Sequence, residues 1–522
     1  MAETLMPKKI KFLTGLLATG GGILFGYDIG IIAGALKQLK LHFSLSCTME
    51  EMIVSSMLLG ALFGSIFGGY FIDKCGRKPS IIASSILYLA GALFLALAQN
   101  YVTLIIGRVM LGFAMSLAAA SECVYVSELA PANIRGSLVS LNEFGITIGI
   151  LLSYFMNVAF SNDLFNGWRF MFGLSSIGAF VVIFLILYLP PSPRYLLMKG
   201  QADAAKQTLR ATRIHQTEQE ERMIDQEFSR LESQFASAPA LKCADLLGKR
   251  VRYPACIGAL LVILQQSTGE PNVLFYANTI LSNMGFRSDV AASLGAVGLG
   301  VAKVLATIVC FLLVDKWGRR TFLLAGSVAM AITILGLALL TLNSNLENTS
   351  ICTDDHPNNT VAFNTSSSNA KSSDPTSPPL RYFALILLMI FIAAYSMSFG
   401  PVSWIVLSEI FPMQLRGRLF SFTTSLNWAS NLVVSSTFLG FMKQTGGLTW
   451  PFLVNAFLCI VSVIFIYFVV PETRGKTLEG ISALWDNGLQ YKEKLCCCCK
   501  SKNDIHRTHL ISASDSTDLD RF

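Results

Sequence analysis

Gly69-Tyr70-Phe71-Ile72-Asp73-Lys74-Cys75-Gly76-Arg77-Lys78 has a shortened echo in Asp315-Lys316-Trp317-Gly318-Arg319-Arg320. In both places a long apolar run meets a basic turn. The repetition marks two related halves. A duplicated apolar bundle places a solute site near the midplane between its halves, so the repeat points toward transport.

Composition agrees with a membrane protein: 53% of residues are hydrophobic and 14% charged, with a mean hydropathy of +0.55, values that do not suit a soluble globule. A helix needs about 20 residues to cross the hydrocarbon core. Windows of that length predict helices over 12–33, 52–72, 79–98, 102–121, 140–160 and 170–190, then 255–276, 290–314, 320–342, 381–407, 418–441 and 450–470. The expectation is an all-α integral membrane protein with twelve transmembrane helices in two six-helix halves. The core holds no water, so each run should satisfy its own backbone hydrogen bonds as a helix.

The N-terminus has no short apolar segment followed by a small-residue cleavage site, so the first helix is expected to be retained. Lys8, Lys9 and Lys11, the Lys74–Lys78 turn, the 194–252 segment, Lys316–Arg320 and Arg416–Arg418 all fall on one side of that helix count. Positive charge marks the cytoplasmic side, which places both termini there. The formal charge of +7 reflects this sidedness and contact with anionic lipid; no nucleic acid is implied. The expected domains are a cytoplasmic N-terminus (1–11), a six-helix bundle (12–190), a cytoplasmic linker (191–254), a second bundle (255–470) and a cytoplasmic tail (471–522).

Residues 199–252 are rich in Glu, Gln, Arg, Lys and Ala, which favours short solvated amphipathic helices joining the halves. The loop at 343–380 is rich in Asn, Ser, Thr, Asp and Pro and cannot bury enough apolar area to fold. It carries glycosylation acceptors at Asn348, Asn358 and Asn364, all on the side assigned outside by charge. Of the twelve cysteines, Cys47 and Cys352 fall in outer loops. A disulfide between them and two free thiols are both open readings there. The run Cys496–Cys499, flanked by Lys494 and Lys500, lacks zinc spacing and reads as a palmitoylation site.

The basic turns are accompanied by acids in both halves. Asp73 and Arg77 have partners in Glu128 and Arg135 of Ser127-Glu128-Leu129-Ala130-Pro131-Ala132-Asn133-Ile134-Arg135-Gly136. Asp315 and Arg319 have Glu409 and Arg416 of Ser408-Glu409-Ile410-Phe411-Pro412-Met413-Gln414-Leu415-Arg416-Gly417. Such networks form a gate that holds one packing of the halves and releases the other. Orientation by positive charge alone would not need the repeated acids.

Ionisable groups inside a span cost about 2.5–3.5 kcal/mol each on insertion scales. Five stand out: Asp28, Arg108, Glu143, Glu270 and Lys303. An Asp facing an Arg in an apolar half can switch protonation, so Asp28 and Arg108 form a candidate proton-coupling pair; a static pair that positions helices is the alternative. Gln265, Gln266 and Asn272 surround Gly269-Glu270-Pro271, where Gly and Pro should interrupt a helix beside a binding site. Carboxamides donate and accept, matching a polyol's hydroxyls. Trp404, and Trp428 beside Asn427, add flat faces for a sugar ring. Taken singly, each of these also serves as helix glue or an interface anchor.

Together, the two loop motifs, Gly107-Arg108, Pro190-Pro191-Ser192-Pro193-Arg194, Gln265-Gln266, Asn427-Trp428 and Pro471-Glu472-Thr473-Arg474-Gly475 resemble the sugar porter branch of the major facilitator superfamily. The resemblance runs from about residue 12 to 480 and is strongest to the class III facilitative glucose transporters, the group of types ten and twelve, through the long ninth loop and Gly269-Glu270-Pro271-Asn272. It implies the major facilitator fold and hexose movement by alternating access. On it, Gln265, Gln266, Trp404, Asn427 and Trp428 match sugar ligands. Glu143 stands where many members have Gln, Pro271 where many have Asn, Lys303 where many have Asn, and Ser396 where many have Glu. Asp28 is similar to the proton-binding acid of the family's symporters. Facilitative and proton-coupled transport therefore both stand, with hexose and protons as the implied partners. A non-transporting sugar sensor on the same fold, and a carrier of a related solute such as dehydroascorbate, are the alternatives. No phosphate-binding glycine loop, metal-ligand spacing or nucleophile elbow is found, so no cofactor or enzymatic role is expected. The expected location is the plasma membrane, with cycling through internal membranes open.

Overall fold

The computed structural model describes residues 6–163, 165–214, 217–236, 249–286, 288–343, 378–411 and 416–474. These are helical throughout. The first half runs α1 (Lys8–Phe43), α2 (Cys47–Cys75), α3 (Arg77–Ala96), α4 (Tyr101–Leu129), α5 (Ala132–Ala159) and α6 (Gly167–Tyr188). Three shorter helices follow, α7 (Pro193–Met198), α8 (Ala202–Thr212) and α9 (Glu218–Ala236). The second half runs α10 (Lys249–Ser267), α11 (Glu270–Phe275), α12 (Ala277–Asn283), α13 (Asp289–Trp317), α14 (Arg319–Asn343), α15 (Pro378–Met397), α16 (Phe399–Ile410), α17 (Arg416–Ser436), α18 (Phe438–Thr445) and α19 (Thr449–Phe468). Among the described residues, ten helical stretches are long and apolar enough to cross a membrane, with α15 and α16 counted as one. The stretches around 255–276 and 418–441 are helical too but lie outside those ten, because each is broken and more polar.

The repeated motif does the same job in both halves. α2 stops at Gly76, with φ 98°, and α3 starts at the next residue; α13 stops at Gly318, with φ 96°, and α14 starts at the next. One residue in this backbone region reverses the chain, and only glycine adopts it without strain. The space is taken as well: a Cβ at Gly76 would lie 2.7 Å from the Tyr195 ring, and one at Gly318 2.8 Å from the Glu472 carboxylate.

Other helix ends follow local chemistry. Ser46 caps α2 by accepting from Met49 N–H at 3.4 Å, and Asn100 caps α4 by accepting from Thr103 N–H at 2.9 Å. α8 and α9 have polar sequences with a strong one-sided apolar stripe, so they lie on a surface rather than within the bundle. Arg213 ties them to the first half through Leu129 O at 2.9 Å and Glu227 Oε1 at 2.9 Å.

Apolar solvent gives no reason for apolar helices to associate, so close backbone approach must supply the contact. α1 and α5 achieve it reciprocally: a Cβ at Gly26 would sit 1.9 Å from Ile146 O, and one at Gly149 2.2 Å from Ile23 O. α2 packs on α4 and α3 on α6 in the first half; α14 packs on α19 and α10 on α17 in the second. The halves meet along two seams, α2 against α17 and α5 against α13.

Gly149→Val should cost more than the about 1–3 kcal/mol of an ordinary overpacked site, because it meets backbone that cannot rotate away. Gly136→Ala, with nothing within 4 Å of its Cβ, should be neutral or stabilising by up to about 1 kcal/mol through helix propensity. Thermal unfolding of the two variants in detergent tests this; equal stability would remove the close-approach account.

Candidate functional site

Two helix breaks face each other across the second half. α10 ends and α11 begins around Gly269, with φ 89°, where a Cβ would lie 2.1 Å from Asn455 Nδ2. α15 and α16 are separated at Ser398. Gln265 Nε2 donates to the carbonyl of Phe399, the first residue of α16, at 2.9 Å. Asn427 Nδ2 on α17 donates to Gln265 Oε1 at 3.3 Å, so one carboxamide ties α10, α16 and α17 together.

Beside this knot two acceptors are left over. Gln266 Oε1 and Asn272 Oδ1 are buried without a hydrogen-bond partner. A solute carrying hydroxyl donors would satisfy them. Trp428 is 8% exposed and its ring lies 5.9 Å from Phe25 of α1, so it stands at the contact of the halves. Trp404 is half-buried, its ring 5.4 Å from Phe420.

Charge enters the same region. Lys303 Nζ on α13 lies 2.7 Å from Glu270 Oε1, with both side chains buried, and 5.3 Å above the Tyr395 ring. Glu143 reaches in from α5 of the other half: its Oε1 lies 3.9 Å from where a Gly400 Cβ would stand, and it interacts electrostatically with Lys303 and Glu270. Glu270 is therefore sequestered in an ion pair rather than turned to outer water. Ser396 Oγ donates back to Ile392 O at 2.8 Å, within its own helix.

Asp28 and Arg108 are both fully buried in the first half, yet Asp28 Oδ1 and both Arg108 Nη atoms have no hydrogen-bond partner, so the two do not touch. Asp28 Oδ2 accepts from the Tyr88 hydroxyl, and Arg108 Nε donates to Ile53 O at 3.2 Å. The expected face-to-face pair is thus corrected to two neighbours that act on one another at longer range. Tyr88 had no sequence signal, since its role depends on α3 lying against α1. Glu122 on α4 did have one, being an acid inside a span. Both its carboxyl oxygens are buried without a hydrogen-bond partner, beside Gly21 of α1.

The motif charges sort within halves. Arg77 Nη2 pairs with Glu128 Oε1 at 3.0 Å, and exposed Asp73 lies 3.7 Å from Arg77 Nη1. Glu128 Oε2 also accepts from Ser192 Oγ at 2.5 Å, joining α3, α4 and the start of α7. In the second half Arg319 Nη2 pairs with Glu409 Oε1 at 3.2 Å. Glu472 accepts from the Arg319 and Arg320 N–H groups at 3.1 Å each, a carboxylate at a helix N-terminus where the dipole favours it. Arg135 Nη2 donates to Ala130 O at 3.5 Å instead of joining Glu128. The side chains of Asp315 and Arg416, together with Asn348, Asn358, Asn364 and Cys352, lie outside the described residues.

At the α1–α2 end the halves are latched. Lys37 of α1 pairs with Asp289 of α13, and Glu51 Oε1 of α2 accepts from Gly440 N–H at 2.6 Å, in the first turn of α18. Elsewhere between the halves, Tyr154 OH donates to Leu274 O at 3.1 Å, and Ser65 Oγ donates to Ser425 Oγ at 3.0 Å. Cys47, at the start of α2, is buried and disulfide-bonded.

A family model described as "Sugar (and other) transporter" matches residues 14–485. The chain is 38% identical to facilitated glucose transporter member 12 of solute carrier family 2 from Homo sapiens, over 90% of this chain and 84% of that one. It is 37% identical to member 10 from Danio rerio, over 94% and 96%. Among solved structures, the inward open conformation of the xylose transporter XylE from E. coli aligns with a TM-score of 0.71 at 28% identity, covering 91% of this chain and 100% of that one. XylE described as a proton:xylose symporter bound to 6-bromo-6-deoxy-D-glucose aligns with a TM-score of 0.70 at 28% identity, covering 91% and 99%.

Removing one partner of a buried ion pair leaves an uncompensated charge, at a cost of about 3–5 kcal/mol. Lys303→Met should therefore be strongly destabilising, and Lys303→Met with Glu270→Met should recover most of the loss. Chemical denaturation of the parent and the two variants decides it; a Lys303→Met protein as stable as the parent would mean the pair is not buried as described.

Proposed function

The chain belongs to the sugar (and other) transporter family, and from that premise we propose that it moves hexoses across a membrane by alternating access, as a carrier and not an enzyme. The observation that carries the reading is the pair of buried, unpartnered acceptors, Gln266 Oε1 and Asn272 Oδ1, beside two helix breaks at the contact of the halves. A hexose supplies the missing donors. Gln265, Gln266, Asn272 and Asn427 are assigned to its hydroxyls, Trp404 and Trp428 to its ring, and Glu143 and Lys303 to the wall. Arg77–Glu128 and Arg319–Glu409 brace the helix ends that must move as rigid sets when the halves rock.

α10–α12 and α17–α18 are counted as the two remaining spans, giving twelve in two halves with both termini cytoplasmic, at the plasma membrane. This topology puts the 343–380 loop outside, with Asn348, Asn358 and Asn364 glycosylated and Cys352 as the partner of Cys47. Enzymatic deglycosylation should increase gel mobility, and replacement of all three Asn by Gln should abolish that shift. Peptide mapping without reductant should recover Cys47 joined to Cys352; an unchanged gel or a different cysteine partner would overturn the assignment.

Proton coupling through Asp28 is the finer reading, supported by the symporter among the structural relatives and by a buried carboxylate bonded to Tyr88. Gln266→Ala should raise the KM for labelled deoxyglucose about 3- to 10-fold, the worth of one net hydrogen bond. Uptake by the parent should rise at acidic external pH and exceed equilibrium, and Asp28→Asn should lose both effects. Saturable uptake equal at acidic and neutral pH would leave a facilitative carrier with Asp28 as a structural partner. Absence of uptake in the parent would remove hexose transport itself.

A further inference from the structure

A second polar cavity, of ≈ 260 Å³, lies between the halves at their latched end. α1 and α5 supply one wall, α12 and α13 the other. Its volume sits near the lower end of small-molecule pockets, about 300 Å³, room for one monosaccharide. Lys37 and Lys40 line it, but their charges are spent on Asp289 and on Glu50, the latter at 2.7 Å. Recognition is left to hydroxyls and carboxamides.

Two of those carboxamides are half-used. Asn157 of α5, fully buried, donates its amide to Gly30 O at 3.2 Å. Asn278 of α12 donates its amide to Ser293 Oγ at 3.0 Å. Gly30 O can only accept, which fixes the Asn157 amide, and Asn278 turns its nitrogen to the Ser293 hydroxyl; in this arrangement Asn157 Oδ1 and Asn278 Oδ1 are buried without partners. What they lack is a donor. The two oxygens come from opposite halves, so a single ligand with several hydroxyls can engage both only when this end is shut.

We propose that this cavity is a second hexose subsite, one that holds a sugar while this end is shut, with Asn157 and Asn278 as its acceptors. The inference rests on the reading of the chain as a hexose carrier. Water satisfies the same acceptors, so the test must separate an occupied subsite from a hydrated gap.

The experiment is equilibrium binding of labelled glucose to the full chain in lipid nanodiscs. The parent should show two classes of site. Gln266→Ala with Asn427→Ala should lose one class, and Asn278→Leu the other, with thermal unfolding reporting that each variant is folded. Ser161→Cys, at a residue lining the cavity, gives a readout that leaves Asn278 intact: glucose should slow its labelling by an impermeant maleimide, in the Gln266→Ala background as well. One class of site that survives Asn278→Leu, or labelling of Ser161→Cys that glucose does not slow, would overturn the subsite and leave only water there. No glucose binding by the parent would overturn the transport reading and the subsite together.

Discussion

A chain crossing a medium without water must close every backbone hydrogen bond within itself, and the rest of this structure depends on where that rule is relaxed. The first half keeps its helices whole from α1 to α6, whereas the second half breaks at Gly269, at Tyr276, at Ser398 and at Thr437. Side chains gather at the first and third of these: Gln265, one turn before Gly269, donates to Phe399 O just after Ser398, and Asn427 donates to Gln265. Gln266 and Asn272, beside the same breaks, keep the acceptors that a polar solute could use. Interrupted helices thus account for the gathering of the proposed ligand residues in one half.

The same absence of water governs the charges. Lys303 and Glu270 neutralise one another at 2.7 Å, and Glu143 approaches them from the opposite half. In the first half Asp28 has a hydroxyl for a partner, and Glu122 has none. A static scaffold has little reason to keep acids in such surroundings, whereas a protein whose halves exchange two packings can give each acid a different environment in each. The latches fit this division of labour. Ion pairs within a half, such as Arg77–Glu128 and Arg319–Glu409, make each half rigid. Contacts between halves, such as Lys37–Asp289 and Glu51 on the α18 N-terminus, are few and separable.

Sequence determined the class of molecule, because hydropathy over about 20 residues reports directly on a single local requirement, the length of a span. It also determined the one-residue turns at Gly76 and Gly318, whose φ values of 98° and 96° serve the repeated motif, and it singled out Gln265, Gln266, Asn272, Asn427 and the buried charges. These features are local, or depend on residue type at a given depth. Tertiary structure alone decided which of them meet. Asp28 bonds to Tyr88 instead of pairing with Arg108, Glu128 takes Arg77 and Ser192 instead of Arg135, and Asn157 and Asn278 come to one cavity from opposite halves. The physical reason is that periodicity gives the depth of a residue in the membrane but not the rotation of its helix about its axis. That rotation is set by close backbone contacts such as Gly26 on Ile146 O and Gly149 on Ile23 O, which exist only once the helices have packed.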